Sequence, residues 1–148
     1  MSSKKAPAYT ATTGFLVGAS TLATNGDELR IRVTGRGKAD GSESATVRIK
    51  FGSQTIFTES LGALGAIDDS WTVNCSITRL TSTTQDIDCD FNGPGTATDP
   101  SRTQSTSGTQ TLTSSNNLVV TGQVSTTSGT NQQLSYETLH VDYWPAGF

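Results

Sequence analysis

The chain has 148 residues, of which 32% are hydrophobic and only 16% charged, with a formal net charge of −3. That length suits one domain around a single core. The shortfall in charge is filled by Ser, Thr, Asn, Gln and Gly, a mixture that favours β-structure with polar loops over long helices. A negative balance carries no electrostatic footprint for nucleic acid or an anionic membrane.

At the N-terminus Lys4 and Lys5 are followed by Pro7, Tyr9 and a run of threonines. The apolar stretch Phe15-Leu16-Val17 is far below the ~7–15 residues of a secretory h-region, and nothing approaches the ~20 apolar residues of a membrane span. The expectation is a soluble chain synthesised in the cytoplasm. Residues 1–25 show no sustained period and read as an N-terminal arm, which would be ordered by a partner surface. The turn Asn25-Gly26-Asp27 opens the regular part, expected to be one domain over 26–148.

From there apolar residues alternate with polar ones. Leu29, Ile31 and Val33 alternate with Arg30, Arg32 and Thr34; Val47, Ile49 and Phe51 alternate with Thr46, Arg48 and Lys50. A short third strand is expected over about 55–59, with a glycine-rich, sheet-crossing loop over 61–66. The clearest hairpin follows. Folding about Thr81–Thr84 sets Ile77 opposite Ile87, Cys75 opposite Cys89 and Val73 opposite Phe91, so the apolar faces match throughout and pin the register. Residues 93–117 form a Gly/Ser/Thr/Pro-rich stretch, read as a long loop with a strand around 109–113. Strands over 118–124 and 134–143 complete seven or eight, which implies an all-β, two-sheet antiparallel sandwich.

The ordered pattern resembles a known module. Gly26-Asp27-Glu28-Leu29-Arg30-Ile31-Arg32-Val33-Thr34-Gly35 precedes Thr46-Val47-Arg48-Ile49-Lys50-Phe51-Gly52; then come Thr55-Ile56-Phe57-Thr58-Glu59-Ser60, Ser70-Trp71-Thr72-Val73, Leu118-Val119-Val120-Thr121-Gly122-Gln123 and Glu137-Thr138-Leu139-His140-Val141-Asp142-Tyr143. Over roughly residues 26–143 this is similar to the small jelly-roll proteins of tailed-bacteriophage virions: head decoration or cement proteins, head fibres and tail-associated proteins. The resemblance implies a jelly-roll fold, a structural place in the virion and, often, a homotrimer. The two cysteines and the long Ser/Thr stretch depart from the pattern and leave the position within the virion open.

Chemistry finds little purchase. His140, the single histidine, has no nucleophile elbow to serve and reads as a strand or interface residue. Cys75 and Cys89 either bridge or pack as two buried thiols. Cytoplasmic synthesis favours thiols, and a bridge straight across adjacent strands is usually strained. Asp86, Asp88 and Asp90 project in one row, about 7 Å apart, too spread for one calcium ion; a solvated, pairing-averse edge is the plainer reading. No catalytic, metal-binding or cofactor-binding residue is expected.

What remains is gripping. Arg30, Arg32, Arg48 and Lys50 are expected to form one positive patch facing carboxylates of a sister subunit or a shell. Tyr136, Tyr143, Trp144 and Phe148 are expected to gather at the C-terminal end. With Tyr9 and Phe15 of the arm, the candidate interface is Tyr9, Phe15, Arg30, Arg32, Arg48, Lys50, Tyr143, Trp144 and Phe148. The expected function is a capsid decoration protein on the outer surface of the virion. It would bind the phage major capsid protein and its own copies as a homotrimer, with no nucleic acid, membrane or cofactor. The alternative is a tail, fibre or baseplate component that recognises a host surface glycan.

Overall fold

The computed structural model describes residues 13–38, 44–63, 69–93, 101–124 and 133–147. Among these residues nine strands follow in chain order: β1 (Thr13–Val17), β2 (Glu28–Lys38), β3 (Ser44–Phe51), β4 (Gln54–Ala63), β5 (Asp69–Arg79), β6 (Gln85–Asn92), β7 (Ser101–Gly108), β8 (Asn116–Val124) and β9 (Gln133–Trp144). They form a four-stranded sheet ordered β1-β8-β3-β4 and a five-stranded sheet ordered β7-β6-β5-β2-β9. Every pairing is antiparallel. The chain crosses between sheets after β1, β2, β4, β7 and β8, and β9 lies beside β2 at the edge of the five-stranded sheet. Among the described residues no helix is long and apolar enough to cross a membrane.

Alternation explains the core. Leu29, Ile31 and Val33 of β2, Val47, Ile49 and Phe51 of β3, and Val73, Cys75 and Ile77 of β5 are all buried between the sheets. β6 alternates buried and exposed along its whole length. Phe57 of β4 and Phe91 of β6 stack across the layers with centroids 6.2 Å apart. Fully buried side chains of this size each stabilise the fold by ~1.5–3 kcal/mol. The β5–β6 register is the one that the matched faces demand: Ile77 opposite Ile87, Cys75 opposite Cys89 and Val73 opposite Phe91.

Two glycines are required by geometry. Gly52 opens the two-residue β3–β4 turn at φ +58°, and a Cβ there would fall 2.0 Å from Gln110 Oε1; a glycine first in such a turn is the usual solution. Gly35 faces inward, where a Cβ would sit 2.2 Å from both Trp71 Cζ2 and the Ser135 carbonyl oxygen. Beside it the pairing of β2 with β9 is irregular, with Thr34 opposite Thr138 but Gly35 opposite Tyr136. Glu137 is the extra residue, a bulge that resets which β9 side chains face inward.

Several expectations are corrected. Residues 13–25 are not an arm. β1 pairs with β8, Val17 and Leu22 are core residues, and residues 1–12 lie outside the described residues. Of the loop expected over 61–66, residues 61–63 belong to β4, and residues 64–66 lie outside the described residues. Within the long loop expected over 93–117, β7 spans Ser101–Gly108, and the segment after it is tied down. Leu112 is buried; its N–H donates to the Ser82 carbonyl at 2.8 Å and its carbonyl accepts from Ser20 N–H at 3.2 Å. The buried Gln85 amide exchanges two hydrogen bonds with the Gln110 backbone, at 2.9 and 3.0 Å. The strand is hidden in the sequence because its inward residues, Arg102, Gln104 and Thr106, are polar. Finally, Cys75 and Cys89 are joined as a disulfide, their Cα atoms 4.1 Å apart. Directly opposed residues of a narrow antiparallel pair already stand about this close, so pairing geometry outweighs the compartment argument for thiols.

Candidate functional site: the open side of the sandwich

The two long sides of the sandwich differ. On one side β4 packs against β7 and β6, and the edges are sewn together by side chains. Gln104 Nε2 donates to the Thr58 carbonyl at 2.7 Å and to Glu59 Oε2 at 3.0 Å, while Gln104 Oε1 accepts from Thr58 N–H at 3.3 Å. Gln54 Nε2 donates to the Ser107 carbonyl at 2.8 Å, and its Oε1 accepts from Thr109 N–H at 3.0 Å. Arg102 pairs with Glu59 at 3.3 Å, both sheltered, and lies over the Phe91 ring, 4.6 Å from its centroid. Inward-pointing charge of this kind makes an edge unattractive to further strands.

The opposite side has no such closure among the described residues. There the sheets end in β1 and β9. Among the described residues, six large hydrophobic side chains are exposed, and five belong to these two strands: Phe15 (44%), Leu16 (61%), Tyr136 (37%), Tyr143 (46%) and Trp144 (46%). Strand parity explains why. Phe15 stands opposite Leu118, and Tyr143 opposite Leu29; both partners are buried, so both aromatics point toward the interlayer space yet remain half uncovered. Leu16 and Trp144 point to the outer faces. The apolar surface therefore wraps the edge.

Two of these aromatics are held in place. The Tyr143 hydroxyl hydrogen-bonds to the Asp27 carboxylate. Asp27 also accepts from Thr24 N–H at 2.7 Å and Ala146 N–H at 2.8 Å. Burial alone would raise the Asp27 pKa; those hydrogen bonds overcome it and hold the group below the ordinary aspartate value. Burial, and then the Asp27 charge, raise the Tyr143 phenol. Arg30 lies over the Trp144 ring, 4.3 Å from its centroid, and is itself held by Glu28 at 2.9 Å. Side chains fixed in advance lose less entropy when a partner covers them.

The other expected interface residues fall elsewhere. Arg30 and Arg32 lie on the outer face of the five-stranded sheet, whereas Arg48 and Lys50 lie on the outer face of the four-stranded sheet. They are not one positive patch: β2 and β3 are neighbours in sequence but belong to different layers. Tyr136 stands at the far end of β9 from Tyr143 and Trp144, so the aromatics are strung along the edge and do not gather at the C-terminal end. Tyr9 and Phe148 lie outside the described residues. Leu16 is absent from the expected interface although its neighbour Phe15 is in it; the apolar run Phe15-Leu16-Val17 is the available signal.

His140 is exposed and stands opposite Arg32. Asp86, Asp88 and Asp90 are exposed on β6, with Asp90 accepting from the Thr103 hydroxyl at 3.1 Å and Asp88 from the Ser105 hydroxyl. Among the described residues no three His, Cys, Asp or Glu side chains group to hold a metal ion. Compared with known protein families, with curated proteins and with solved structures, the chain matches none.

Proposed function

We propose that this chain works by binding and assembly and not by catalysis. Its role is that of a bacteriophage virion structural protein, a decoration (cement) protein that clamps the major capsid protein from outside, with its own copies arranged as a homotrimer. The single observation that carries the reading is the apolar, partly preorganised side formed by β1 and β9, set against an opposite side closed by polar side chains. The two-sheet antiparallel sandwich is compatible with the fold that the sequence resemblance implies. Residues 1–12 precede β1 in the sequence, and we assign them to the same partner as the apolar side. A specific contact of this kind buries on the order of 800 Å² per partner, and symmetry multiplies weak contacts into stable occupancy.

Light scattering of the full chain tests self-assembly, and occupancy on capsids that carry the major capsid protein tests decoration. The full chain is expected to be a trimer and to decorate. A Phe15→Ser, Leu16→Ser, Trp144→Ser variant is expected to stay folded by circular dichroism, to run as a monomer and to leave particles bare. Deleting residues 2–12 should keep the fold and lower occupancy. Undiminished decoration by the triple variant, or turnover of a substrate by the purified chain, overturns the proposal.

A further inference from the structure

The outer faces of the two sheets carry opposite charge. The described residues of the five-stranded sheet place Glu28, Asp86, Asp88, Asp90, Glu137 and Asp142 outward, against Arg30, Arg32 and Arg36. In the four-stranded sheet the one acidic residue among those described is Glu59. It stands opposite buried Val47 and so points inward, where Arg102 meets it. The outer face of this sheet therefore presents Arg48 and Lys50 with no carboxylate beside them among the described residues.

Alternate residues of one strand stand about 7 Å apart on the same face, close enough for two cations to repel unless an anion joins them. Arg30, Arg36, Arg79 and Arg102 each have a partner; Arg32, Arg48 and Lys50 make no hydrogen bond or ion pair among the described residues, and of these Arg32 lies on the acidic face while Arg48 and Lys50 share the other. Around them lies an open trough of about 400 Å³, lined by Thr46, Arg48, Lys50, Thr55, Thr121 and Gln123. That volume is in the range of small-molecule sites and exceeds what a single ion needs. Its lining is two cations embedded in hydroxyl and amide groups, which both donate and accept.

We infer that this trough binds an acidic saccharide: a short sugar chain whose carboxylate or sulfate sits between Arg48 and Lys50 and whose hydroxyls pair with the threonines and Gln123. Hydroxyl-bearing rings match a lining that donates and accepts in turn. Single-stranded nucleic acid fits worse, because this face offers no aromatic side chain among the described residues on which a base could stack, and the acidic face behind it repels a long polyanion. The site lies on the outer face of β8, β3 and β4, the face to which Leu16 of β1 also points, but it shares no residue with the β1–β9 side, so it stands or falls apart from the decoration reading.

The test is calorimetric titration of the full chain with four probes of matched length: an oligogalacturonate for carboxylate, a heparin-derived oligosaccharide for sulfate, a neutral dextran oligomer and oligo-dT. At least one acidic saccharide is expected to bind, with a salt dependence no steeper than the release of about two counterions, while dextran does not. The carboxylate and sulfate arms show which anion is preferred. Arg48→Glu with Lys50→Glu is expected to lower affinity on the order of tenfold or more. Thr121→Val should lower it by a few-fold, and Arg32→Glu on the far face should leave it unchanged. Melting curves should match throughout. Absence of binding, equal binding of oligo-dT, or an equal loss in Arg32→Glu overturns the inference.

Discussion

The two sides of this sandwich solve the same problem differently. Both are places where two sheets run out of strands, leaving backbone groups and interlayer apolar surface uncovered. On the β4–β7 side, Gln54, Glu59, Arg102 and Gln104 bridge the layers, so the edge is satisfied within one molecule. On the β1–β9 side Phe15, Leu16, Tyr136, Tyr143 and Trp144 remain partly bare. A chain able to close one edge with polar side chains has left the other apolar. That difference is the observation on which the proposed assembly rests.

The contrast can be broken experimentally, beginning with the largest effect. Phe91 lies beneath Arg102 and stacks on Phe57, so Phe91→Ala is expected to cost about 3–5 kcal/mol in urea unfolding; a loss under ~1 kcal/mol would mean the closed side is not packed as described. Next come Cys75 and Cys89, 14 residues apart. Replacing both by Ala should cost about 3 kcal/mol through loop entropy, and denatured, unreduced wild-type protein should titrate no free thiol. Two reactive thiols would restore the reduced reading.

Gln104→Ala removes three hydrogen bonds that cross between the layers and exposes groups that lose their partners, for about 1–3 kcal/mol. Amide exchange should quicken at Thr58 and along β7 and stay unchanged in β1. Asp27→Asn, at the open side, is expected to cost about 1–2 kcal/mol at pH 7. The sign follows from the lowered pKa. The stabilisation is present above the ordinary aspartate value of 3.8 and is lost as pH falls through the folded value. Wild type and the Asp27→Asn variant should therefore converge in stability in acid; a gap that persists there would show that charge is not its source. The smallest effect is Leu16→Ser, expected to shift monomer stability by no more than about 0.5 kcal/mol while weakening association. A larger loss would make Leu16 part of the core and the open side narrower.

Alternation along a strand is a local property, and what depends on it is readable from the residues alone. Leu29, Ile31 and Val33, the Val47–Phe51 strand, and the β5–β6 register from Val73 to Phe91 all follow from which side chains must leave water. The Gly52 turn follows from backbone sterics. Alternation does not reveal which sheet a strand joins. Thus Arg30 and Arg48 look equivalent in sequence and end on opposite faces. Polar inward positions are also silent: Arg102, Gln104 and Thr106 look like loop residues until Glu59 and Thr58 face them. The bulge at Glu137 reverses the parity of β9 beside Gly35, where there is no room for a Cβ against Trp71 and the Ser135 carbonyl. The open side, made of one strand from each end of the chain, exists only once the layers are stacked, because uncovered area is a property of the assembled sheets and not of any segment.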